Sequence, residues 1–281
     1  MSRATLAAFI LLPFVTGELP AQSLRTMSTS RLRRGEHDLR VRVEFGAGRF
    51  RMSRDKTGAL YRSKIVYNED RFHPVMEYDS GDLTLGLKSN RGRSQLNLNK
   101  NEADRQVMDL AVAAGVPVSF DLSFGAAEAD LDFGGLELAR ATIKTGASES
   151  RIVFSSPTTG RCDRLSFQVG AAEFHAERLG NARCRELEFV GGVGDLTLDF
   201  TGDWGLTEST ADISIGMGSL TLRLPREAGV EVEMRRFLSS FDGSGFVKRG
   251  DRYYTPNLDS AKTKLRLDIK AALGSVDVIW Q

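Results

Sequence analysis

Hydrophobic and polar residues alternate along most of this chain, in short runs that pass through a glycine-containing turn. Aligning the chain on these turns gives one recurring unit, in which an alternating segment is followed by Gly-x-small and a second alternating segment. Successive turns between residues 125 and 216 are 21, 24, 22 and 24 residues apart, a period typical of repeat proteins. The residues at the turn, taken as position zero, are Gly46, Gly125, Gly146, Gly170, Gly192, Gly216 and Ala272.

Three columns of the aligned units are apolar throughout, and the residues between them are mostly polar. This period of two predicts β-strands with one buried face on each side of the turn. The column three residues before the turn contains Val43, Leu122, Ile143, Phe167, Phe189, Ile213 and Ile269. The column five residues before it contains Val41, Phe120, Ala141, Leu165, Leu187, Ala211 and Leu267. The column six residues after it contains Met52, Leu131, Ile152, Ala176, Leu198, Leu222 and Val278.

The repeat predicts an all-β fold, because units of this length have no room for helices. We expect a flattened β-solenoid of about seven two-stranded repeats forming two facing sheets. Coiled units and hairpin units would bury the same columns, and the fixed period favours the coil. Residues 52–125 and 224–267 interrupt the repeat with predicted strands and hairpins, including a turn at residues 79–82, and we expect both stretches to cap the stack.

The first residues predict a secretory signal peptide over residues 1–21. Arg3 precedes an apolar run at residues 6–15, and Leu19 and Ala21 suit the −3 and −1 positions of a cleavage site. The run is too short to cross a bilayer, and no later run has 18 consecutive apolar residues. We therefore expect an extracytoplasmic protein, periplasmic or secreted, with no integral membrane segment in the mature chain. Residues 22–38 are predicted to be a flexible linker and residues 39–281 a single β-domain.

Several strings of the sequence resemble a known family. They are FSSPTTGR (154–161), LGNAR (179–183), GGVGDLTLDFTGDW (191–204) and GSLTLRLPREAGVEVE (218–233), with VEFGAGRFRM (43–52) upstream. Together they resemble the bacterial toast-rack domain family, which is related to the C-terminal domain of LiaF-type cell-wall-active-antibiotic response proteins and, more distantly, to candidate adhesins. The resemblance implies an all-β stack of repeated strands and brings no catalytic residues. The chain differs from the LiaF arrangement in its predicted cleavable signal and its lack of transmembrane helices, which weakens a role in direct signalling to a membrane kinase.

Charge and motifs exclude several function classes. The chain has 38 Lys and Arg against 37 Asp and Glu, so it offers no excess positive charge for nucleic acid. The sequence contains no G-x-S-x-G, H-E-x-x-H or P-loop motif and only 3 histidines. We therefore expect neither an enzyme nor an organic cofactor.

One row of acidic residues is a candidate metal site. Position plus three of four consecutive units carries Glu128, Glu149, Glu173 and Asp195. Parallel stacking would place neighbouring carboxylates about 5 Å apart, and a divalent cation such as Ca²⁺, or Arg and Lys side chains, would relieve their repulsion. The simpler interpretation is a row of solvated acidic turns.

The only two cysteines occupy equivalent positions in consecutive units, because Cys162 and Cys184 each stand eight residues before a turn glycine. In a parallel coil their Cα atoms would lie about 4.8 Å apart, which a disulfide accepts, and an exported protein meets an oxidising compartment. Side chains stacked in register point the same way, however, so two neighbouring buried thiols are the alternative.

The sequence favours a non-catalytic envelope protein, a binding or scaffolding and adhesion module whose partner is an envelope protein or a glycan. The alternative is a regulatory component of an envelope stress response, as the LiaF resemblance suggests. A third hypothesis is a polysaccharide-active β-solenoid enzyme, which a cleft between the 52–120 insertion and the stack, lined by paired carboxylates, would favour.

Overall fold

The structure, a computed structural model, describes residues 24–90, 105–147, 149–171 and 173–281, so the predicted signal peptide lies outside the described residues. This part of the chain forms β-strands and one short 3₁₀ helix, Leu179–Ala182, which confirms the all-β class. The strands are β1 (Leu24–Leu32), β2 (Leu39–Arg54), β3 (Ala59–Asn68), β4 (Phe72–Asp79), β5 (Asp82–Ser89), β6 (Val107–Val112), β7 (Pro117–Asp132), β8 (Glu137–Thr145), β9 (Ser150–Val153), β10 (Cys162–Ala171), β11 (Phe174–Glu177), β12 (Cys184–Asp199), β13 (Glu208–Leu224), β14 (Gly229–Phe241), β15 (Val247–Arg249), β16 (Arg252–Tyr254) and β17 (Lys264–Trp280).

The repeated units pair in parallel and in the register that the glycine alignment predicts. The column three residues before the turn pairs residue by residue from Val43 in β2 through β7, β8, β10, β12 and β13 to Ile269 in β17. All seven members are buried, at 0–3% exposure. The column six residues after the turn pairs in the same way, from Met52 to Val278, and is also buried. The alternation of apolar and polar residues in the sequence therefore predicts correctly which side chains of these two columns are buried.

The strands bend at the turn rather than ending there. β2, β7, β12, β13 and β17 each continue through it as one strand of 16 or 17 residues. The glycine at position zero is needed because neighbouring backbones approach closely. A Cβ on Gly192 would lie 2.7 Å from the carbonyl oxygen of Gly170, and one on Gly216 would lie 2.6 Å from that of Gly192.

Because each long strand pairs with different strands before and after the bend, the hydrogen-bonded strands form a closed ring. The first half of β7 pairs with β8 and its second half with β9, while β12 pairs with β10 and β11 in the same manner. β8 also pairs with β10, and β9 with β11. These six strands form a closed barrel around the apolar interior, in which the long strands β7 and β12 join the two facing sheets that the repeat predicts.

The structure contains two further units that the alignment on glycine does not include. β14 continues the parallel ladder beyond β17, with Met234 opposite Ile269. Its turn residue is Phe237, which stands where other units have glycine or alanine. At the opposite end, β5 and β6 pair in parallel with the two halves of β2, and residues 90–106 separate these two strands. The described ladder therefore has two more units than the predicted seven.

Both ends of the ladder are covered by antiparallel strands, as expected for the two interrupting stretches. β4 pairs with β5 and β3 with β6 at one end, while β16 pairs with β14 and with β15 at the other. The predicted turn at residues 79–82 joins β4 to β5, with Ser80 and Gly81 at φ values of 45° and 95°.

The linker prediction is wrong for residues 24–32, which form β1 and pair antiparallel with β3. Nearly all side chains of β1 are exposed, so no alternation of polar and apolar residues marks this segment in the sequence. Backbone hydrogen bonds to the edge of β3 hold it instead, together with an ion pair of 2.7 Å between Arg25 and Glu69.

Cys162 and Cys184 lie opposite each other in β10 and β12 and form a disulfide, with their Cα atoms 4.3 Å apart. Both residues are buried. The covalent bond therefore joins two consecutive parallel units near the middle of the ladder.

Three of the strings that resemble the toast-rack family meet beside this disulfide. The Asn181 side chain donates a hydrogen bond of 2.9 Å to the Phe154 carbonyl oxygen and accepts one of 2.8 Å from the backbone N–H of Asp203. The Thr158 hydroxyl donates to the Ala182 carbonyl oxygen at 2.8 Å. Asn181 and Thr158 are buried, so their hydrogen bonds hold the three segments together in the fold.

Candidate binding surface

A row of large apolar side chains lies on the outside of the bend at one end of the ladder. Position plus one carries Ala47, Ala126, Ala147 and Ala171 in the first four aligned units, and Val193, Met217, Leu273 and Leu238 in β12, β13, β17 and β14. Neighbouring members of the second set pair across the strands. Val193, Met217 and Leu238 are 53%, 51% and 65% exposed. The same backbone position therefore changes from small to large apolar side chains along the molecule.

Phe237 stands at position zero, directly before Leu238, and is the most exposed apolar residue of this surface, at 80%. Val190 in β12 is also exposed and lines a shallow groove of about 540 Å³ together with Phe237. We call this surface the apolar edge; it consists of Val190, Val193, Met217, Phe237, Leu238 and Leu273. All of these side chains except the half-buried Leu273 are exposed, and clusters of exposed apolar side chains mark interaction sites on soluble proteins.

Positive charge flanks the apolar edge. Arg235 is bound to Glu233 at 2.8 Å and to Asp268 at 3.2 Å. Arg236 and Lys270, which line the groove beside Phe237, have no ion-pair partner within the described part of the chain. The edge thus combines large apolar side chains with two cations that have no ion-pair partner among the described residues.

A second, polar groove of about 800 Å³ lies at the other end of the ladder. It lies across five neighbouring strands, in the order β1, β3, β6, β2 and β7. It is lined by Ser28, Thr29, Arg51, Lys64, Asp109 and Asp130, among others. This is the location at which the enzyme hypothesis places its cleft.

Each carboxylate of the polar groove has a structural partner. Asp109 pairs with Arg51 at 2.7 Å, and Asp130 pairs with Arg151 at 3.6 Å. Asp132 accepts hydrogen bonds of 2.8 and 3.1 Å from the backbone N–H groups of residues 134 and 155. These contacts hold the three carboxylates against the sheet surface. They do not give any two of them the different environments that a catalytic acid and base or nucleophile would need.

Next to the polar groove, Asp55 anchors the turn that follows β2. Its side chain accepts hydrogen bonds from Arg62 at 2.6 Å and from the Thr57 backbone and hydroxyl at 2.7 and 2.9 Å. Burial alone would raise the pKa of Asp55, but these donors stabilise the carboxylate and lower its pKa below the usual value.

The predicted acidic row does not form a metal centre among the described residues. Its turns are neighbours, because the Glu149 and Glu173 carbonyl oxygens accept hydrogen bonds from the next strand. However, the Glu128 side chain pairs with Arg49 at 3.1 Å, Glu173 contacts His175 at 3.1 Å, and Asp195 accepts from the Ser219 hydroxyl at 2.5 Å. Nowhere in the described ranges do three His, Cys, Asp or Glu side chains converge on a site for a metal ion.

The sequence interpretation missed the apolar edge, although a signal was present. Column plus one changes from alanine to valine, methionine and leucine after residue 171, and this change is visible once the units are aligned. Phe237 could not be found in this way, because the glycine that marks the other turns is absent from β14.

Among the described residues, no helix is both long enough and apolar enough to cross a bilayer. No protein of curated function matches this chain.

Two solved structures are similar over nearly the whole chain. A candidate cell adhesion protein from Clostridium sporogenes ATCC 15579 is 16% identical, with a TM-score of 0.52 over 92% of this chain and 100% of that one. A candidate adhesin from Bacteroides fragilis NCTC 9343 is 13% identical, with a TM-score of 0.45 over 92% of this chain and 99% of that one. The first likeness shows a shared fold.

The family comparison covers the N-terminal part of the protein. The model for the N-terminal domain of toast_rack, DUF2154, matches residues 21–163, just over half of the sequence. This chain belongs to the toast-rack family.

Proposed function

We propose that this protein is an exported, non-catalytic binding module of the cell envelope, a flattened β-solenoid in one β-domain that presents the apolar edge to a partner. One observation carries the proposal: Phe237 and Leu238 are 80% and 65% exposed and continue a row of exposed apolar residues. Keeping such a patch in water is unfavourable by roughly 25 cal/mol for each Å² of apolar surface, and binding removes that cost.

The fold supports a binding role. The similar structure from C. sporogenes is described as a candidate cell adhesion protein, and adhesion is a binding function of the kind proposed. Export rests on the predicted signal peptide at residues 1–21. The polar groove gives no support to a polysaccharide-active enzyme, because Asp109, Asp130 and Asp132 all have structural partners.

Retention on envelope fragments tests the proposal. The chain from Gln22 onward is labelled and sedimented with envelope fragments of the source bacterium, and Phe237→Ser/Leu238→Ser is compared with Ala126→Ser/Ala147→Ser. The control changes lie on the same bend, at the alanine end. We expect retention of the wild type and of the control, and a loss of about tenfold or more in the Phe237/Leu238 variant. Equal retention of both variants, or no retention of the wild type, would contradict the proposal.

A further inference from the structure

The apolar edge protrudes at one short segment of β14. Consecutive residues of a strand point to opposite faces, so in the interior of a sheet one of each pair is covered. Residues 235–238, Arg-Arg-Phe-Leu, are all exposed. The segment lies where β14 bends, and among the described residues β16 pairs with β14 only at residues 231–233, so the edge of 235–238 opposite β17 has no neighbouring strand there. The exposure of all four side chains shows that neither face of the segment is covered in the described part of the chain. It therefore presents two large apolar side chains and two cations to the same surroundings.

Positive charge lies beside the exposed aromatic ring of this segment. Several arginines of the sheet surface pair with acids on neighbouring strands, as Arg164 does with Glu186 at 3.0 Å and Arg151 with Glu177 at 2.8 Å. Arg236 and Lys270 have no such partner in the described ranges, and they flank Phe237. An anionic partner would neutralise both cations while it covers the aromatic ring.

We propose that the apolar edge docks on an anionic lipid bilayer, with Phe237 and Leu238 entering the boundary between headgroups and acyl chains and with Arg236 and Lys270 binding lipid phosphates. The inference rests on the proposed function and names the partner of the same surface. Protruding Phe and Leu side chains beside Arg and Lys are the combination that holds a peripheral protein at a membrane interface.

A bilayer fits this surface better than a second copy of the chain. A symmetric contact through the apolar edge would bring the two unpaired cations of one molecule towards those of the other, which is unfavourable. The apolar side chains also stand on an edge with only a shallow groove beside it, and a deformable bilayer covers such an edge without a complementary pocket.

Vesicle flotation tests the inference directly. The chain from Gln22 onward is mixed with vesicles of phosphatidylcholine alone or with an equal part of phosphatidylglycerol. We expect binding to the anionic vesicles that weakens as salt is added, and a loss of about tenfold or more in Phe237→Ser/Leu238→Ser. Lys270→Gln with Arg236→Gln should also lose binding to the anionic vesicles. Lys144→Gln with Ala126→Ser is the matched control, since Lys144 and Ala126 occupy the same unit positions as Lys270 and Leu238, and it should bind like the wild type.

A second readout reports insertion at a single position. In Phe237→Trp, the new indole should shift its emission to shorter wavelength with anionic vesicles and be quenched by brominated acyl chains. The inference is overturned if the wild type does not float with anionic vesicles while its retention on envelope fragments still depends on Phe237, a result that leaves the proposed function standing with a protein or glycan partner. Equal loss in the control and the Phe237/Leu238 variant, or dimerisation through Phe237 without vesicle binding, would also overturn it.

Discussion

The two ends of the ladder have the same backbone bend and differ in the side chains that lie on its outside. At one end, alanines occupy position plus one, and Arg49 pairs with Glu128 at 3.1 Å. At the other, Met217 and Leu238 occupy that position, and Arg236 and Lys270 are unpaired in the described ranges. The inner columns are buried at both ends. The buried columns therefore continue through the whole ladder, while the side chains on the outside of the bend differ from one end of the ladder to the other.

The largest predicted loss of stability comes from truncating a side chain of the buried columns, which run through both ends of the ladder. Phe189 is 3% exposed and its ring lies 5.4 Å from that of Phe174. Phe189→Ala should lower the free energy of unfolding by about 3–5 kcal/mol, because it leaves a cavity, whereas the exposed Lys144→Ala should change it by less than about 0.5. Urea unfolding measures both. Equal effects would mean that the buried columns do not hold the ladder together.

The disulfide lies between the two ends, and its loss should be nearly as costly. Breaking the Cys162–Cys184 bond should lower the free energy of unfolding by about 3 kcal/mol, because the unfolded chain gains freedom. Thermal unfolding with and without a reductant measures this effect, and Cys162→Ala/Cys184→Ala should no longer respond to the reductant. A wild type that is equally stable with reductant, or that shows free thiols when unfolded without it, would refute the bond.

Acid should act on the end with the polar groove through Asp55. Because its pKa is lowered in the folded protein, its contribution to stability is complete above the unfolded value of about 4 and is lost as the pH falls through the folded value. Asp55→Asn should cost about 1.5–3 kcal/mol at pH 7 and flatten the loss of stability in acid. Unfolding curves at several pH values measure this, with the exposed Asp121→Asn as control. An unchanged slope in Asp55→Asn would exclude this role.

Two turn glycines should respond differently to a methyl group. Gly192→Ala should cost about 1–3 kcal/mol, because the new Cβ would crowd the Gly170 carbonyl oxygen at 2.7 Å. Gly46→Ala should change the free energy of unfolding by less than about 0.5 kcal/mol, since nothing lies within 4 Å of its Cβ position. Denaturant midpoints compare the two variants. If Gly46→Ala is as destabilising as Gly192→Ala, close backbone approach is not the reason for the glycine column.

The smallest effect on stability is expected at the apolar edge itself. Phe237→Ser/Leu238→Ser should change the free energy of unfolding by less than about 0.5 kcal/mol, because the two side chains are 80% and 65% exposed. Thermal unfolding beside Phe189→Ala makes the comparison. A loss similar to that of Phe189→Ala would show that these side chains belong to the core and not to a binding surface.

The sequence predicts the inside of this fold well because burial imposes a period of two that is independent of local detail. Val43 and Ile269, more than 200 residues apart, fall in one buried column on this argument alone. β14 was not recognised as a unit because Phe237 replaces its marker glycine. β1 was missed because backbone pairing, which needs no particular side chains, holds it in place.

The candidate site is harder to predict, because exposure and side-chain pairing are properties of the folded surface. The acidic row was found from its spacing, but its side chains turn to Arg49, His175 and Ser219. Met217 looks like any other apolar residue in the sequence, and only the bend leaves it exposed.

The antiparallel strands at the two ends of the ladder also bear on how such proteins vary in length. Strands with substantial mutual contact are almost all neighbours in the hydrogen-bonded ladder. Each unit in the middle of the ladder therefore contacts only the unit before it and the unit after it. If one such unit were duplicated or deleted, the remaining units could still pair with each other, and β4 and β16 would still cover the two ends. Such a chain can gain or lose reach in steps of one strand spacing, about 4.8 Å, and still avoid joining its copies end to end into fibres.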